Sequence, residues 1–449
     1  MEGLKLLDRA FSLEETERAP WVPFVGVHGG KLIGVDAEAY LKSSKNIADG
    51  ISRAIELYRP DGIPVLFDLQ IEAEVLGCRL AWSRENPPAV ISHPLAEGIA
   101  LSQLKLPEKT DGRFPVELEA ASRLRKKYPK LALYGLITGP FTLALHLMGT
   151  EIFMNMFEDP DRVTEVMDFC TRVGIRHAGM LLEAGCDVIA VVDPMTSQID
   201  PDSFKSFVSP YAGLIFDYVR SKDKYSSFFV CGHAQQNIEV MCDCGPDNIS
   251  IDENIPLDYV KDIALSKGIS FGGNLKLTSV LLLGSEQDSK KEAVDCLDLG
   301  GNRGFILAPG CDLPMDTPVE NLQAVTGMVY DEYERQVVRE MKHSSSLEPM
   351  DMTGHWVEGK IVIDVITLDS SSCAPCQYMV EAVTQAAAEF GGQVIINEYK
   401  IKEKEGIRMM MSLGVQNVPT TCINGKVSFI SQIPPKTEII KAIKSALNK

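Results

Sequence analysis

Three short stretches carry side chains able to do chemistry. In FFVCGHAQQN (residues 228–237), Cys231 and His233 put a soft sulfur and an imidazole two positions apart, where an apolar run gives way to a turn. In LAPGCDLPMDTP (307–318), Cys311 follows a Pro-Gly pair. In SSSCAPCQYM (370–379), Cys373 and Cys376 form a C-x-x-C dithiol between an apolar run and an amphipathic one. The first stretch by itself fits either a metal site or a buried cysteine beside an ordinary histidine. The third is more specific. A dithiol at the start of a helix meets free N–H groups and the positive end of the helix dipole, which stabilise a thiolate. That position is expected to lower the pKa of Cys373 from its usual value near 8.5.

The elements that must position these groups follow a repeating pattern. Eight apolar runs lie between residues 20 and 310: WVPFVG (21–26), GIPVLFD (62–68), LALYGLITG (131–139), DVIAVVDP (187–194), FFVCG (228–232), NISIDE (248–253), ISFGGN (269–274) and GFILAPG (304–310). Each is short and bounded by Gly, Pro or Asp, as parallel strands buried on both faces are. The segments between them read as helices. In DPDRVTEVMDFCTRVGIRH, Asp159 is an N-cap with Pro160 behind it. Val163, Val166, Met167 and Cys170 then repeat as one core-facing stripe. Eight strands alternating with helices predict a (β/α)8 TIM barrel over residues 1–342. Residues 77–95 read as a small β insertion.

Residues 343–359 lose apolar periodicity and gain Ser, Pro and Gly, as a linker does. Residues 360–449 then read strand, helix, strand, helix, two strands and a final helix, a small α/β domain of its own.

Composition narrows the function. The chain has 449 residues, 45% of them hydrophobic and 24% charged, as in ordinary globular domains. Its formal charge of −18 argues against a nucleic-acid partner. No apolar run is long enough for a membrane span, and MEGLKLLDRAFSLEETER is unlike a signal peptide, so a cytoplasmic protein is expected. The 11 cysteines are odd in number and scattered, unlike a disulfide framework. Cys78, Cys170, Cys186 and Cys296 read as small buried hydrophobes.

Two resemblances add to this. The C-terminal segment resembles a thioredoxin-like domain, with Val418-Pro419-Thr420 similar to the family's cis-proline turn. Ser372 and Ala374 depart from the commonest motif, and Cys422 is an extra thiol. The resemblance implies Cys373 as nucleophile and Cys376 as resolving thiol. The larger segment resembles the uroporphyrinogen decarboxylase superfamily through ERAPWVP, FDLQIEAEVLGC, GLITGPFTLALHLMG, EAGCDVIAVVDP, CGHAQQNIEVM, NISIDE, GGNL and LAPGCDLPMDTPVENLQA. PWVPFVGVHGGKLIG lacks the arginines with which the decarboxylase proper holds porphyrin carboxylates, so decarboxylation is disfavoured.

The Cys311 loop resembles instead the corrinoid-linked branch, typified by methylcobalamin:coenzyme M methyltransferases. That branch implies zinc held by His-x-Cys and a later cysteine, with methylcobalamin or another corrinoid carried by a partner protein. Cys231 and Cys311 match the two sulfur ligands. Phe229 stands where the histidine belongs, and His233 lies on the other side of Cys231, so C-x-H replaces H-x-C. A fourth ligand is expected from Glu253, by likeness to cobalamin-independent methionine synthases, with Asp252 beside it. Asp193 and His28 are expected in the pocket, and Asp68 resembles the decarboxylases' central carboxylate. Cys242-Asp243-Cys244 should lie at the opposite end of the barrel. The expected activity is zinc-dependent methyl transfer between a corrinoid protein and a small thiol or pterin acceptor, with a thiol reductant as a further partner. The alternative is a thiol–disulfide protein with a degenerate barrel.

Overall fold

The computed structural model describes residues 3–340, 349–371, 373–415 and 417–447. Most of the expected linker's first half (343–348) and Ser372 lie outside the described residues. The chain divides into two compact units, Met1–Glu340 and Met341–Lys449.

In the first unit, strands β1 (Gly62–Pro64), β4 (Ala132–Thr138), β5 (Val188–Val192), β6 (Tyr225–Val230), β7 (Asn248–Ile251), β8 (Ser270–Leu275) and β9 (Phe305–Pro309) form one curled, parallel sheet in chain order. The insertion supplies a separate antiparallel pair, β2 (Leu80–Ala81) and β3 (Ala89–Val90). Alternate residues of the barrel strands face inward. Ala132, Tyr134 and Leu136, then Val188, Ala190 and Val192, then Ile306 and Ala308 share one interior core with Phe24, Phe67 and Phe229. The intervening residues, Leu133, Ile189 and Val191 among them, are buried on the helix side. Burial on both faces explains why these strands are continuous apolar runs.

The expected strand WVPFVG is a correction. It makes only an isolated parallel bridge, Trp21 to Leu307. Pro20 and Pro23 have no N–H to give a ladder, so pairing cannot propagate. The segment still closes the ring. Val22 N–H donates to Leu307 O and Leu307 N–H to Pro20 O, both at 2.9 Å, while Asp61 N–H reaches Trp21 O on the β1 side. The barrel therefore has seven regular strands and one irregular staple.

The helix Gly3–Phe11 buries Leu7, Ala10 and Phe11 in the interior core, and Phe11 stacks on Tyr225 at the start of β6. It plugs the amino-terminal end, leaving the carboxyl-terminal end for a site. The long helix Pro160–Ala184 forms as its sequence predicts. Asp159 accepts from Arg162 N–H, and Val163, Val166, Met167 and Cys170 are buried.

The second unit holds four strands, β10 (Ile361–Thr367), β11 (Val394–Lys400), β12 (Thr420–Ile423) and β13 (Lys426–Ile430), in the order β11-β10-β12-β13. β10 runs parallel to β11 and antiparallel to β12. Helices Ala374–Ala387 and Lys436–Leu447 pack Met379, Val383, Ile439 and Ile443 on Ile361, Ile363 and Val365. Among the described residues, no helix is long and apolar enough to cross a membrane.

Candidate functional site

β6 ends at Val230, and the chain turns sharply at Gly232, whose φ of 85° disfavours any residue with a Cβ. The turn is fixed from β7: Gly232 N–H donates to Asp252 Oδ2 at 2.8 Å. Asp252 Oδ1 accepts from the backbone and side chain of Asn254, and Asn274 at the end of β8 donates to Asp252 O and Ile255 O. Three successive strand ends are thus laced together. Burial raises the pKa of Asp252, opposed by these N–H donors and by His233.

The loop after β9 brings in the second sulfur. Gly310 N–H donates to Leu275 O and Leu313 N–H to Phe24 O, both at 3.0 Å. Cys311 Sγ then lies 2.7 Å from Cys231 Sγ. Both cysteines are half-buried and sit on the interior aromatic floor. Phe229 belongs to that floor, 2% exposed, with its ring centroid 5.2 Å from Phe24 and 6.1 Å from Phe67. The position of the family's histidine therefore holds an apolar ring beneath the two thiols.

His233 does not continue the alternation that carries Cys231, because the left-handed turn at Gly232 intervenes. It is half-buried, its Nδ1 makes no hydrogen bond, and it lies near enough to Asp252 to favour that carboxylate's charge. Glu253 is half-buried and accepts from Leu277 N–H. Burial and the neighbouring Asp252 push its carboxyl up to about 8. Among the described residues, no group of three His, Cys, Asp or Glu side chains is close enough to hold a metal. The two thiols converge; His233 and Glu253 are not gathered with them into one three-donor set.

The fit to zinc is partial. A tetrahedral ion with Zn–S bonds of about 2.3 Å holds its sulfurs roughly 3.8 Å apart, and a disulfide holds them at about 2.0 Å. The observed 2.7 Å lies between. The soft donors and their place at the barrel mouth suit a thiophilic metal; separating the sulfurs and turning in a third donor would complete the set.

The other expected site residues have structural employment. Both Asp193 oxygens are taken by the start of helix Pro140–Met148: Oδ2 accepts from Phe141 N–H, and Oδ1 from Thr142 N–H and Oγ1–H. Burial still pushes its carboxyl up to about 6. Asp193, expected as a cofactor-binding residue, thus caps that helix from the end of β5. His28 is fully buried, with Nδ1 2.9 Å from Met315 O and Nε2 2.7 Å from the Tyr58 hydroxyl. It braces the loop that carries Cys311, and burial lowers its pKa to about 4. Asp68 is held by Arg113 at 2.5 Å and by Gln70 N–H. Cys242, Asp243 and Cys244 end the helix that precedes β7, at the barrel's amino-terminal end, where Lys267 pairs with Asp243.

A buried triad was not anticipated. His177 sits between two carboxylates, Nδ1 2.9 Å from Glu72 Oε1 and Nε2 2.9 Å from Glu117 Oε2. All three are essentially inaccessible, and Thr138 N–H and Oγ1–H also donate to Glu72. Burial alone would lower the pKa of His177, but the flanking carboxylates raise it to about 10.

In the second unit, Cys373 is the N-cap of helix Ala374–Ala387, with Pro375 in the first turn. Cys373 N–H donates to Asp369 O at 2.9 Å, and the buried Cys376 accepts from Leu368 N–H at 3.3 Å. The Val418–Pro419 peptide is cis. Cys422, opposite Asp364 in the β10–β12 ladder, is buried and pushed up to about 12. The thiol of Cys373 departs from expectation. The hydrogen bond to Cys376 and then burial raise its pKa, outweighing the Cys376 N–H that pulls it down.

A parallel β/α barrel with two thiols at its carboxyl-terminal mouth, followed by a C-x-x-C α/β unit, is the architecture in hand. Residues 4–331 match the family model described as "Uroporphyrinogen decarboxylase (URO-D)", and residues 361–444 match "Thioredoxin domain". The chain belongs to the uroporphyrinogen decarboxylase family and carries a C-terminal thioredoxin domain. It is 31% identical over 267 residues to methylcobamide:CoM methyltransferase MtbA of Methanosarcina acetivorans, covering 59% of this chain and 77% of that one. It is 28% identical over 283 residues to MtaA of Methanosarcina barkeri, a methylcobamide:CoM methyltransferase, covering 62% and 81%. Among solved structures, a methyltransferase from Methanosarcina mazei superposes with a TM-score of 0.68 at 25% identity, covering 73% of this chain and 98% of that one.

Proposed function

We propose that the barrel is a methyltransferase working between a corrinoid, carried by a separate protein, and a small thiol acceptor. The observation that carries this reading is the convergence of Cys231 and Cys311 at the barrel mouth, in a chain similar to methylcobamide:CoM methyltransferases. In this reading the two thiolates hold zinc, with Glu253 or His233 turning in as further donors. Zinc, when bound, keeps an acceptor thiol deprotonated at neutral pH. The chain's own residues do the rest. Phe24, Phe67 and Phe229 form a dry floor that keeps water from the acceptor sulfur, and His28 holds the Cys311 loop in register.

The test is metal content together with a spectral assay. Purified protein is expected to hold about one zinc per chain, lost in Cys231→Ser and Cys311→Ser, and to convert methyl-Co(III) corrinoid to Co(I) when coenzyme M is added. Zinc-free protein that leaves the methyl corrinoid unchanged with every thiol and pterin offered would defeat the reading. A second reading, a thiol–disulfide protein whose barrel no longer transfers methyl groups, draws on Phe229 in the histidine position. A decarboxylase acting on a polyanionic porphyrin fits poorly with an aromatic floor.

A further inference from the structure

A small cavity lies inside the barrel beneath the two thiols. Phe24, Phe67, Phe229, Leu136 and Ile306 form much of its wall, and Cys231 and Cys311 pack against the same cluster of side chains. Among the described residues, none that lines it is a Lys, Arg, His, Asp or Glu. Strand register sets Phe229 of β6, Ser250 of β7, Gly272 of β8 and Ile306 of β9 side by side, and all four line the cavity. Ser250 and Gly272 are the small members of that row, so they leave a notch between the two large ones. Ser250 is 4% exposed, and its hydroxyl has no hydrogen-bond partner among the described residues. Its polar neighbours are paired: Ser227 Oγ–H donates to Asn248 Oδ1 at 2.8 Å, and Asn248 Nδ2–H to Ser270 Oγ at 3.0 Å. A buried hydroxyl left unpaired costs stability, and a ligand group that pairs with it recovers that cost.

We infer that the acceptor is a short, uncharged thiol ending in a hydrogen-bonding group such as a hydroxyl, with its chain against Phe229 and its end on Ser250. This rests on the reading of the barrel as a corrinoid-linked methyltransferase. The methyl donor arrives on a protein too large to enter the barrel, so the acceptor sulfur must present a lone pair outward at the mouth. Its chain then points inward, toward the cavity. The acceptor thiol gives its proton to solvent, and its sulfur forms a bond to the methyl carbon. The cobalt–carbon bond breaks with its electron pair left on cobalt, so Co(III) becomes Co(I) and the thiol a methyl thioether. An anionic chain end in the cavity would lose its hydration and meet no cation. The ionisable groups around the thiols do not supply one: Asp252 and Glu253 are carboxyls, and His233 lies beside Asp252. Phe229 keeps the row below them neutral as well. Ser250 thereby sets which thiol is accepted, by pairing with the end of the chain remote from the reacting sulfur.

Three thiols with the same two-carbon chain separate the possibilities: 2-mercaptoethanol ends in a hydroxyl, ethanethiol in a methyl group and coenzyme M in an anionic sulfonate. Calorimetric titration of each into the full-length, fully reduced protein with zinc supplied reads binding without any corrinoid. 2-Mercaptoethanol is expected to bind about five- to tenfold more tightly than ethanethiol, the worth of one hydrogen bond, and at least about tenfold more tightly than coenzyme M. Ser250→Ala should bring 2-mercaptoethanol down to the affinity of ethanethiol and leave ethanethiol itself within about twofold of wild type. Coenzyme M binding as tightly as 2-mercaptoethanol would overturn the inference, as would a Ser250→Ala variant that weakens all three thiols equally. The ranking on the wild-type chain decides the matter even where the variant does not fold. Methyl transfer from methylcobalamin, followed by its spectrum, keeps the two readings apart. Transfer that is fastest to coenzyme M sinks the acceptor class and leaves the methyltransferase. Ser250-dependent binding of 2-mercaptoethanol without transfer to any thiol sinks the methyltransferase reading and leaves the pocket's selectivity.

Discussion

Gly310 packs directly on the backbone of Glu253: a Cβ at position 310 would lie 2.6 Å from the Glu253 nitrogen and 3.0 Å from its Cβ. The loop after β9 thereby seats Cys311 against the loop after β7, and the glycine is required by close approach. Gly310→Ala is expected to push the two loops apart, lowering stability by about 1–3 kcal/mol. An alanine variant with unchanged melting would contradict this contact.

The His177 triad sets a pH dependence. The pKa of His177 rises from 6.5 to about 10 because Glu72 and Glu117 flank it, against the opposing effect of burial. A raised folded-state value stabilises fully below the unfolded value near 6.5 and fades as pH climbs through about 10. Glu72 is held below its ordinary range and Glu117 is raised, chiefly by burial, and Asp68 adds to the negative side of Glu117. His177→Gln removes the cation and leaves two buried carboxylates facing each other, at a cost of about 3–5 kcal/mol. Urea midpoints at pH 6.5 and pH 10 should differ clearly in the wild type and much less in the variant. Equal slopes in the two proteins would remove His177 from the account.

How much of this could be read from the chain depended on the range of the interaction. Continuous apolar runs such as DVIAVVDP announced strands because both faces are buried. WVPFVG carried the same signal, yet its prolines stop the ladder, and only the partners Leu307 and Asp61 reveal it as a staple. The meeting of Cys231 with Cys311 was legible through family spacing, although 80 residues separate them. The turn at Gly232, which redirects His233, depends on a backbone angle that residue types alone do not fix. Asp193 ends a barrel strand, which the sequence shows; its three donors come from Phe141 and Thr142, about 50 residues earlier, which it does not. His177 sits among Val173, Gly174, Ala178 and Leu181 on an apolar helix face, where it resembles a core histidine. Its partners lie 60 and 105 residues away.

Phe229 offers a direct probe of the metal reading. Replacing it by histidine restores an imidazole two residues before Cys231, on the same side of β6. The ring would leave an aromatic cluster with Phe24 and Phe67, so stability should fall by about 1–3 kcal/mol. If the two thiols hold zinc, Phe229→His should tighten zinc binding by roughly tenfold or more, measured by competition with a chromogenic chelator. Unchanged affinity in a folded variant would mean that the floor of this barrel is not part of the metal shell.

The dithiol's reactivity is the last point at which structure and expectation diverge. A helix N-terminus ordinarily activates the first cysteine of C-x-x-C, and here Cys376 N–H does act in that direction on Cys373. The side chain of Cys376 works against it, since its hydrogen bond and its own partial charge both favour the protonated Cys373, and burial adds to them. Cys373 should therefore react slowly with iodoacetamide at neutral pH, and the rate should keep rising as pH passes 9. Cys376→Ala removes the opposing sulfur while keeping the backbone N–H. Alkylation of Cys373 near pH 7.5 should then quicken several-fold and its pH profile shift to lower values, followed by mass spectrometry of the labelled peptide. A profile that stays put in Cys376→Ala would show that burial, and not the partner thiol, holds Cys373 protonated.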